Sequence, residues 1–118
     1  MVIVDAQVIA SLFFRGDATP YCEAAYLQDP AWSSPPFWRS EFRAILKNMQ
    51  RARNLAPADC EAVIRLAEEK LHPRQYRVDA TLAFQIAFQH PTVSAYSIEY
   101  VALAEELNVQ LLTLDESL

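Results

Sequence analysis

The sequence predicts an α/β domain built on a largely parallel sheet, and three observations carry that reading. Met1–Val4 and Gln110–Leu114 are short runs of mostly β-branched and aliphatic residues, the pattern of strands buried on both faces. Helical segments fill most of the chain between them, so the strands are joined by crossovers rather than by hairpins. Both strands also end in an aspartate, Asp5 and Asp115. In a parallel arrangement these lie beyond the carboxyl ends of the strands, where open α/β sheets bind their ligands.

Each element has its own signal. Gln7–Arg15 places Val8, Leu12 and neighbouring apolar residues at helical spacing, and Gly16 stops it. Thr19-Pro20 reads as an N-cap hydroxyl followed by proline at the first helical position. That helix runs to about Gln28, before Asp29-Pro30 breaks it. Ala31–Ser34 is a short strand candidate, ended by Pro35-Pro36. Phe37–Arg53 is the longest helical pattern, with Trp38, Phe42, Ile45, Leu46 and Met49 sharing one face. Pro57 opens the next helix, whose first turn holds Asp59 and Glu61 to complement the dipole. It turns Cys60, Val63, Ile64, Ala67 and Leu71 inward, and Pro73 closes it. Asp79 caps Ala80–Gln89, which ends before Pro91. Ser94 caps Ala95–Leu107, and Asn108 takes the position usually given to glycine.

The 118 residues suit a single domain spanning 1–118, and no repeat, linker or low-complexity segment divides them. A composition of 53% hydrophobic and 21% charged residues excludes intrinsic disorder. Cys22 and Cys60 are too few for a disulfide framework and read as reduced, half-buried thiols. The apolar N-terminus is interrupted by Asp5 and has no basic start, so it is not a secretory signal. No apolar run approaches the ~20 residues that cross a bilayer. The expectation is a soluble, cytoplasmic protein with no membrane partner. A net charge of −5 argues against binding nucleic acid mainly through non-specific charge. It does not argue against an enzyme whose acids carry metal.

Either aspartate alone reads equally well as a helix cap. If the strands are neighbours, the two carboxylates emerge together and repel unless a cation or hydrogen bonds compensate. A hard divalent cation such as Mg²⁺ or Mn²⁺ suits such oxygen ligands. Glu41 strengthens the case, because it falls at the rim of its helix's apolar stripe, beside Trp38 and Ile45. Arg39, Arg43, Lys47 and Arg51 occupy the opposite side. An acid facing the core is costly unless partnered. A rim glutamate paired with some arginine remains the alternative.

The stretches VIVDAQVIA, PPFWRSEFRAIL, SAYSIEYVALAEELNV and LLTLD together resemble the successive motifs of PIN domains, in particular VapC-type toxin ribonucleases. The resemblance covers nearly the whole chain, in order and at family-like spacing. It implies a three-layer α/β/α fold around the parallel sheet and an acidic cluster that binds Mg²⁺ or Mn²⁺ for hydrolysis of RNA. The catalytic acids it implies are Asp5, Glu41 and Asp115, with Thr113 as the family's threonine. One position departs: Ser97 stands where such proteins carry a third aspartate. Glu99 is two residues on, about 200° around the helix, so it is a supporting acid at most or a surface glutamate. The resemblance further implies a homodimer and a small antitoxin partner. It also implies another strand after the last acidic motif, whereas this chain stops three residues past Asp115. The expectation is therefore a short end or a sheet edge completed by a partner.

Within that frame Asp5, Glu41 and Asp115 would hold one or two ions against a scissile phosphate, and water would be the nucleophile. Ser33, Ser34 and Ser40 have no histidine nearby in sequence, and His72 and His90 read as loop residues before prolines. Arg39 and Arg43 are candidate substrate contacts or a solvated face. Trp38, Tyr96 and Tyr100 are candidate base-stacking residues or packing residues. If Asp5, Glu41, Glu99 and Asp115 surround one site, 11 acids remain against 10 bases. The net charge is then mostly one focused patch. Ser97 keeps a second reading open, a catalytically degraded PIN-fold binding or regulatory module. An aspartyl-phosphate phosphatase is excluded because Gln7 stands where its second aspartate belongs. A receiver domain is excluded by the lack of paired early acids and a late lysine.

Overall fold

The computed structural model describes residues 1–71, 76–116 and 118. Its elements run β1 (Val2–Val4), α1 (Ala6–Ser11), α2 (Thr19–Gln28), β2 (Trp32–Ser33), α3 (Trp38–Arg53), α4 (Pro57–Leu71), α5 (Ala80–Gln89), α6 (Ala95–Leu107) and β3 (Gln110–Leu112). The sheet order is β2-β1-β3 with both pairings parallel, Val2 facing Trp32 on one side and Gln110 on the other. The connection from β1 to β2 and that from β2 to β3 cross the sheet in opposite directions. Right-handed crossovers therefore put their helices on opposite faces. The result is the α/β fold that the sequence predicts, a parallel sheet with helices on both faces.

The central strand is buried on both faces, with Ile3 and Val4 fully enclosed. Helix α6 packs on β1 and β3, α4 packs on β2, and α1 is sandwiched by α2 and α3. The inner face of α3 is anchored by Trp38, Phe42 and Leu46, one turn apart. Phe42 meets Trp38 and Phe13 edge-on at 5.6 and 6.4 Å. A smaller apolar cluster, Ala83, Ile86, Ile98 and Ala102, holds α5 to α6. The Ser34 hydroxyl donates to the Val4 carbonyl at 2.7 Å, tying the end of β1 to the segment after β2.

Capping chemistry is where the sequence predicts. Asp79 accepts from the Thr81 and Leu82 amides, and Ser94 accepts from the Ser97 amide. Asn108 and Asn54 both end their helices in the left-handed conformation. Most ends shift by a single residue, and three differences have a clear cause. The first helix ends at Ser11, not Arg15, because Thr19 captures its end: the Thr19 hydroxyl donates to the Ser11 carbonyl and accepts the Gly16 amide, both at 2.9 Å. Thr19 is consequently the first residue of α2 and not its cap; the cap position is Ala18, without a side-chain bond. The last strand stops at Leu112, since its partner β1 ends at Val4. Cys22 is fully buried rather than half-buried, and burial pushes its thiol pKa up. His90 is exposed in the C-cap position of α5. The readings placed on His72 and on Pro73 as a helix stop lie outside the described residues.

Thr19→Val is expected to lower the stability by about 1–3 kcal/mol, because it strips two bonds from a buried position. A urea titration followed by far-UV circular dichroism measures this; an unchanged midpoint would show the hydroxyl to be idle.

Candidate active site

The parallel register sets β1 and β3 side by side with their carboxyl ends at one edge of the sheet. Asp5, directly after β1, is 7% exposed and does two things at once. Its Oδ1 accepts the Val8 amide at 2.9 Å, capping α1. Its Oδ2 accepts the Thr113 hydroxyl and, more distantly, the Leu114 amide at 3.4 Å. Thr113 oxygen in turn accepts the Asp115 amide at 2.9 Å. The cap and the site readings of Asp5 are thus both satisfied by one carboxylate with two oxygens.

Asp115 is held from the other side. Ser97, on the first turn of α6, donates its hydroxyl to Asp115 Oδ2 at 2.9 Å. Ser94 donates to Ser97 at 3.2 Å, so two hydroxyls form a chain ending on the carboxylate. Ser97 therefore stands at the site, as a donor where a third aspartate would have been an acceptor.

Glu41 reaches the same region from the first turn of α3. Its Oε1 is buried and has no hydrogen-bond partner. Burial raises its carboxyl pKa, the neighbouring Tyr100 hydroxyl opposes that rise, and repulsion from Asp5 and Asp115 adds to it. Among the described residues no arginine pairs with Glu41, against the reading of it as a rim acid held by one. The arginine beside it in sequence, Arg39, instead forms a two-pronged ion pair with Glu68 of α4, at 2.6 and 2.9 Å.

Other candidates separate cleanly. Trp38 and Tyr100 are both 1% exposed and pack in the core, which leaves them unable to stack on bases. Tyr96 is exposed and stacks on Phe37 with rings 5.3 Å apart. Arg43 is exposed on the far side of α3 from Glu41, within 3.4 Å of Ser40. Glu99 is half-buried and makes no hydrogen bond or ion pair among the described residues, so no contact ties it to the cluster. The residue that sequence reasoning undervalues is Tyr100. Its signal is present, since it lies three positions after Ser97 and shares that face of α6.

Oxygen donors from carboxylates and hydroxyls are the chemistry of a hard divalent cation. The unpartnered, buried Glu41 oxygen and the mutual repulsion of the three acids fit such a group. Among the described residues no three acidic, histidine or cysteine side chains are drawn close enough to form a ready ion cage. An ion shared by all three would have to bring them nearer to one another.

Comparison with known proteins agrees with the architecture. No protein-family model matches the chain, and no curated protein matches it. Among solved structures, the chain is similar to Mycobacterium tuberculosis VapC20, described as a sarcin-ricin loop cleaving toxin. The TM-score is 0.70 at 17% identity, covering 98% of this chain and 90% of that one. The shared feature is the PIN-like fold. No helix among the described residues is long and apolar enough to cross a membrane.

Because Glu41 is a stronger base when folded than when unfolded, the folded chain binds more protons between the ordinary glutamate pKa and the raised one. Stability contributed by its proton is then present at low pH and lost as pH rises through the raised value. Glu41→Gln should therefore raise the melting temperature at pH 7, by roughly 2–6 °C. The gain should shrink as the pH falls towards 4. Melting curves of both proteins across that range, without added metal, provide the check; a gain independent of pH would contradict an origin in the buried carboxylate.

Proposed function

We propose that this protein is a metal-dependent endoribonuclease that hydrolyses RNA phosphodiester bonds, acting as the toxin of a toxin–antitoxin pair. The observation that carries this reading is the convergence of Asp5 and Asp115 through the shared Thr113 hydroxyl, with Glu41 electrostatically coupled to both. The likeness of fold to a sarcin-ricin loop cleaving toxin supports it, as do the four sequence motifs. Asp5, Glu41 and Asp115 are the residues that would hold Mg²⁺ or Mn²⁺. When bound, such an ion supplies charge neutralisation at a scissile phosphate and a more acidic water for in-line attack on phosphorus.

The chain's own groups have clear tasks in that reaction. Val8 and Thr113 orient the Asp5 carboxylate, each donating to one of its oxygens. Ser97 fixes the Asp115 carboxylate through a charge-assisted hydrogen bond. The half-buried setting of Glu41 raises the strength of its electrostatic interactions with whatever enters the cleft. Glu99 is near enough in sequence to Ser97 to act as a supporting acid in the cleft, but no contact recommends it over its surface role.

Partners follow from surface chemistry. RNA is the substrate and a small antitoxin the inhibitor. A second copy is the natural cover for α5, where Phe84 and Phe88 are 70% and 80% exposed, their rings 6.2 Å apart. That helix carries no charged residue, so a like face on a twofold-related copy would bury it without leaving an unpaired ion. The cellular setting of such a pair is the cytoplasm.

A second reading is favoured by Ser97 and by the looseness of the acidic set: a PIN-fold module that binds RNA or protein without cutting. The two diverge in one assay. Purified protein with Mg²⁺ or Mn²⁺ should cleave structured RNA, and Asp5→Asn should reduce the rate at least ~100-fold. Ser97→Asp should raise activity and ion affinity. An inert native chain beside an active Ser97→Asp variant would establish the degraded-site reading, and inactivity of every version would sink the nuclease. Separately, Phe84→Glu with Phe88→Glu should convert a dimer to a monomer by light scattering; an unchanged mass would place the interface elsewhere.

A further inference from the structure

The groove between α1 and α3 opens into a cavity of about 280 Å³, and this cavity begins where the acidic cluster ends. Each of the three acids has a close neighbour in the cavity wall. Gln7 lies two residues past Asp5, Ile45 one turn past Glu41, and Leu114 directly before Asp115. From there the wall leads away from the acids. Ser11 and Phe14 follow Gln7 on the α1 side, and Met49 follows Ile45 on α3. The apolar side chains among them are half-buried, while Gln7 is exposed. The Ser11 hydroxyl is committed to the Gln7 carbonyl at 2.9 Å, but the Gln7 side-chain amide has no hydrogen-bond partner among the described residues. Past Phe14, the guanidinium of Arg53 stands 5.9 Å from the ring centre and donates to the Arg15 carbonyl at 3.0 Å. The cavity thus has acids at one end, a cation at the other, and a free amide among apolar walls.

We propose that this cavity receives one unpaired nucleobase of the RNA strand, from the nucleotide next to the scissile phosphate, and that Gln7 reads its edge. A mainly apolar pocket with a few polar groups holds a flat ring and fixes its orientation. The volume is just below that of pockets for drug-sized ligands, which suits a single base. Gln7 brings a donor and an acceptor on one planar group, the combination that tells base edges apart. Arg53 offers the adjoining phosphate a positive charge. A base inside a duplex is stacked and paired and does not reach such a cavity, so the strand must be single there. The place of that base beside the cut rests on the nuclease reading above; the base-binding cavity itself does not.

Nuclear magnetic resonance of the native full chain tests the cavity directly, without divalent metal. The titrants are the four ribonucleoside monophosphates and, separately, inorganic phosphate. The Gln7 side-chain amide and the Leu114 backbone amide should move with nucleotide and not with phosphate alone. One base should be preferred by roughly 5–150-fold, the worth of a well-made pair of bonds to a base edge, and Gln7→Ala should abolish that preference. Met49→Trp, which fills the cavity and leaves Gln7 in place, should remove the response to every nucleotide. Equal shifts from phosphate and nucleotides, or an unaltered preference in Gln7→Ala, would overturn the proposal. With Mg²⁺ present, kcat/KM on oligonucleotides varied next to the cut should follow the same preference, and annealing a complementary strand should stop cleavage. Equal cutting of the duplex would also overturn it. A native chain that cuts no RNA would instead defeat the nuclease reading, and the nucleotide titration would then decide the cavity alone.

Discussion

The Thr113 hydroxyl joins the ends of two strands that are far apart in sequence. It donates to Asp5, just past β1, and accepts the amide of Asp115, just past β3. This clasp is possible only because the strands pair in parallel with Val4 opposite Leu112, so that both chains leave the sheet at one level. A shift of one residue in that register would turn Asp5 and Thr113 to opposite faces. The remainder of the architecture defends the register. Ser34 ties β1 to the other side through the Val4 carbonyl, and Ile3 and Val4 are sealed between helical layers.

The clasp also decides what each helix contributes. Helix α1 begins on the same carboxylate that Thr113 holds, so its cap and the site are one object. Helix α3 must lie against α1 for Glu41 to approach, and the Phe13–Phe42–Trp38 ring cluster supplies that contact. Helix α6, lying over β1 and β3, brings Ser97 to Asp115. Three helices thus converge on the end of one short strand pair. A site can be assembled from a sheet of three strands because the strand ends, not their length, do the positioning.

What the sequence made legible is what local chemistry determines. The caps at Asp79 and Ser94 and the left-handed Asn108 depend on residues within one turn of themselves. The strand aspartates were legible through topology, since any parallel neighbour arrangement brings them together. The early end of α1 was hidden, because Thr19, eight residues on from Ser11, competes for its last carbonyl. The fate of Arg39 was hidden too: Glu68 on a separate helix claims it, and no helical wheel of α3 alone contains that acid. Tyr100 carries the same lesson into the site. An aromatic at an inward position reads as core, and Tyr100 is core, but its hydroxyl is buried there without a hydrogen-bond partner. Helix-to-helix polar contacts have no sequence period to betray them.

The serine at position 97 then has a physical meaning beyond a missing charge. A carboxylate in its place would face Asp115 at hydrogen-bond distance with no proton to share at neutral pH, adding repulsion to a cluster whose Glu41 is already disfavoured as an anion. Such a site is unstable until a cation enters, and the strain is returned as affinity for the cation. Ser97 inverts this balance. Its proton settles Asp115 in the absence of any ion, and Ser94 extends the chain of donors to the helix cap. Less repulsion is left to be relieved, so the same acids form a quieter site with a weaker hold on a cation. On the proposed metal reading, the position therefore trades ion affinity for stability of the cleft. That exchange acts on Asp115 alone, while Glu41 keeps its partial burial and the repulsion of its neighbours. On the same proposed reading, Glu41 is thus the acid with most to gain from a cation.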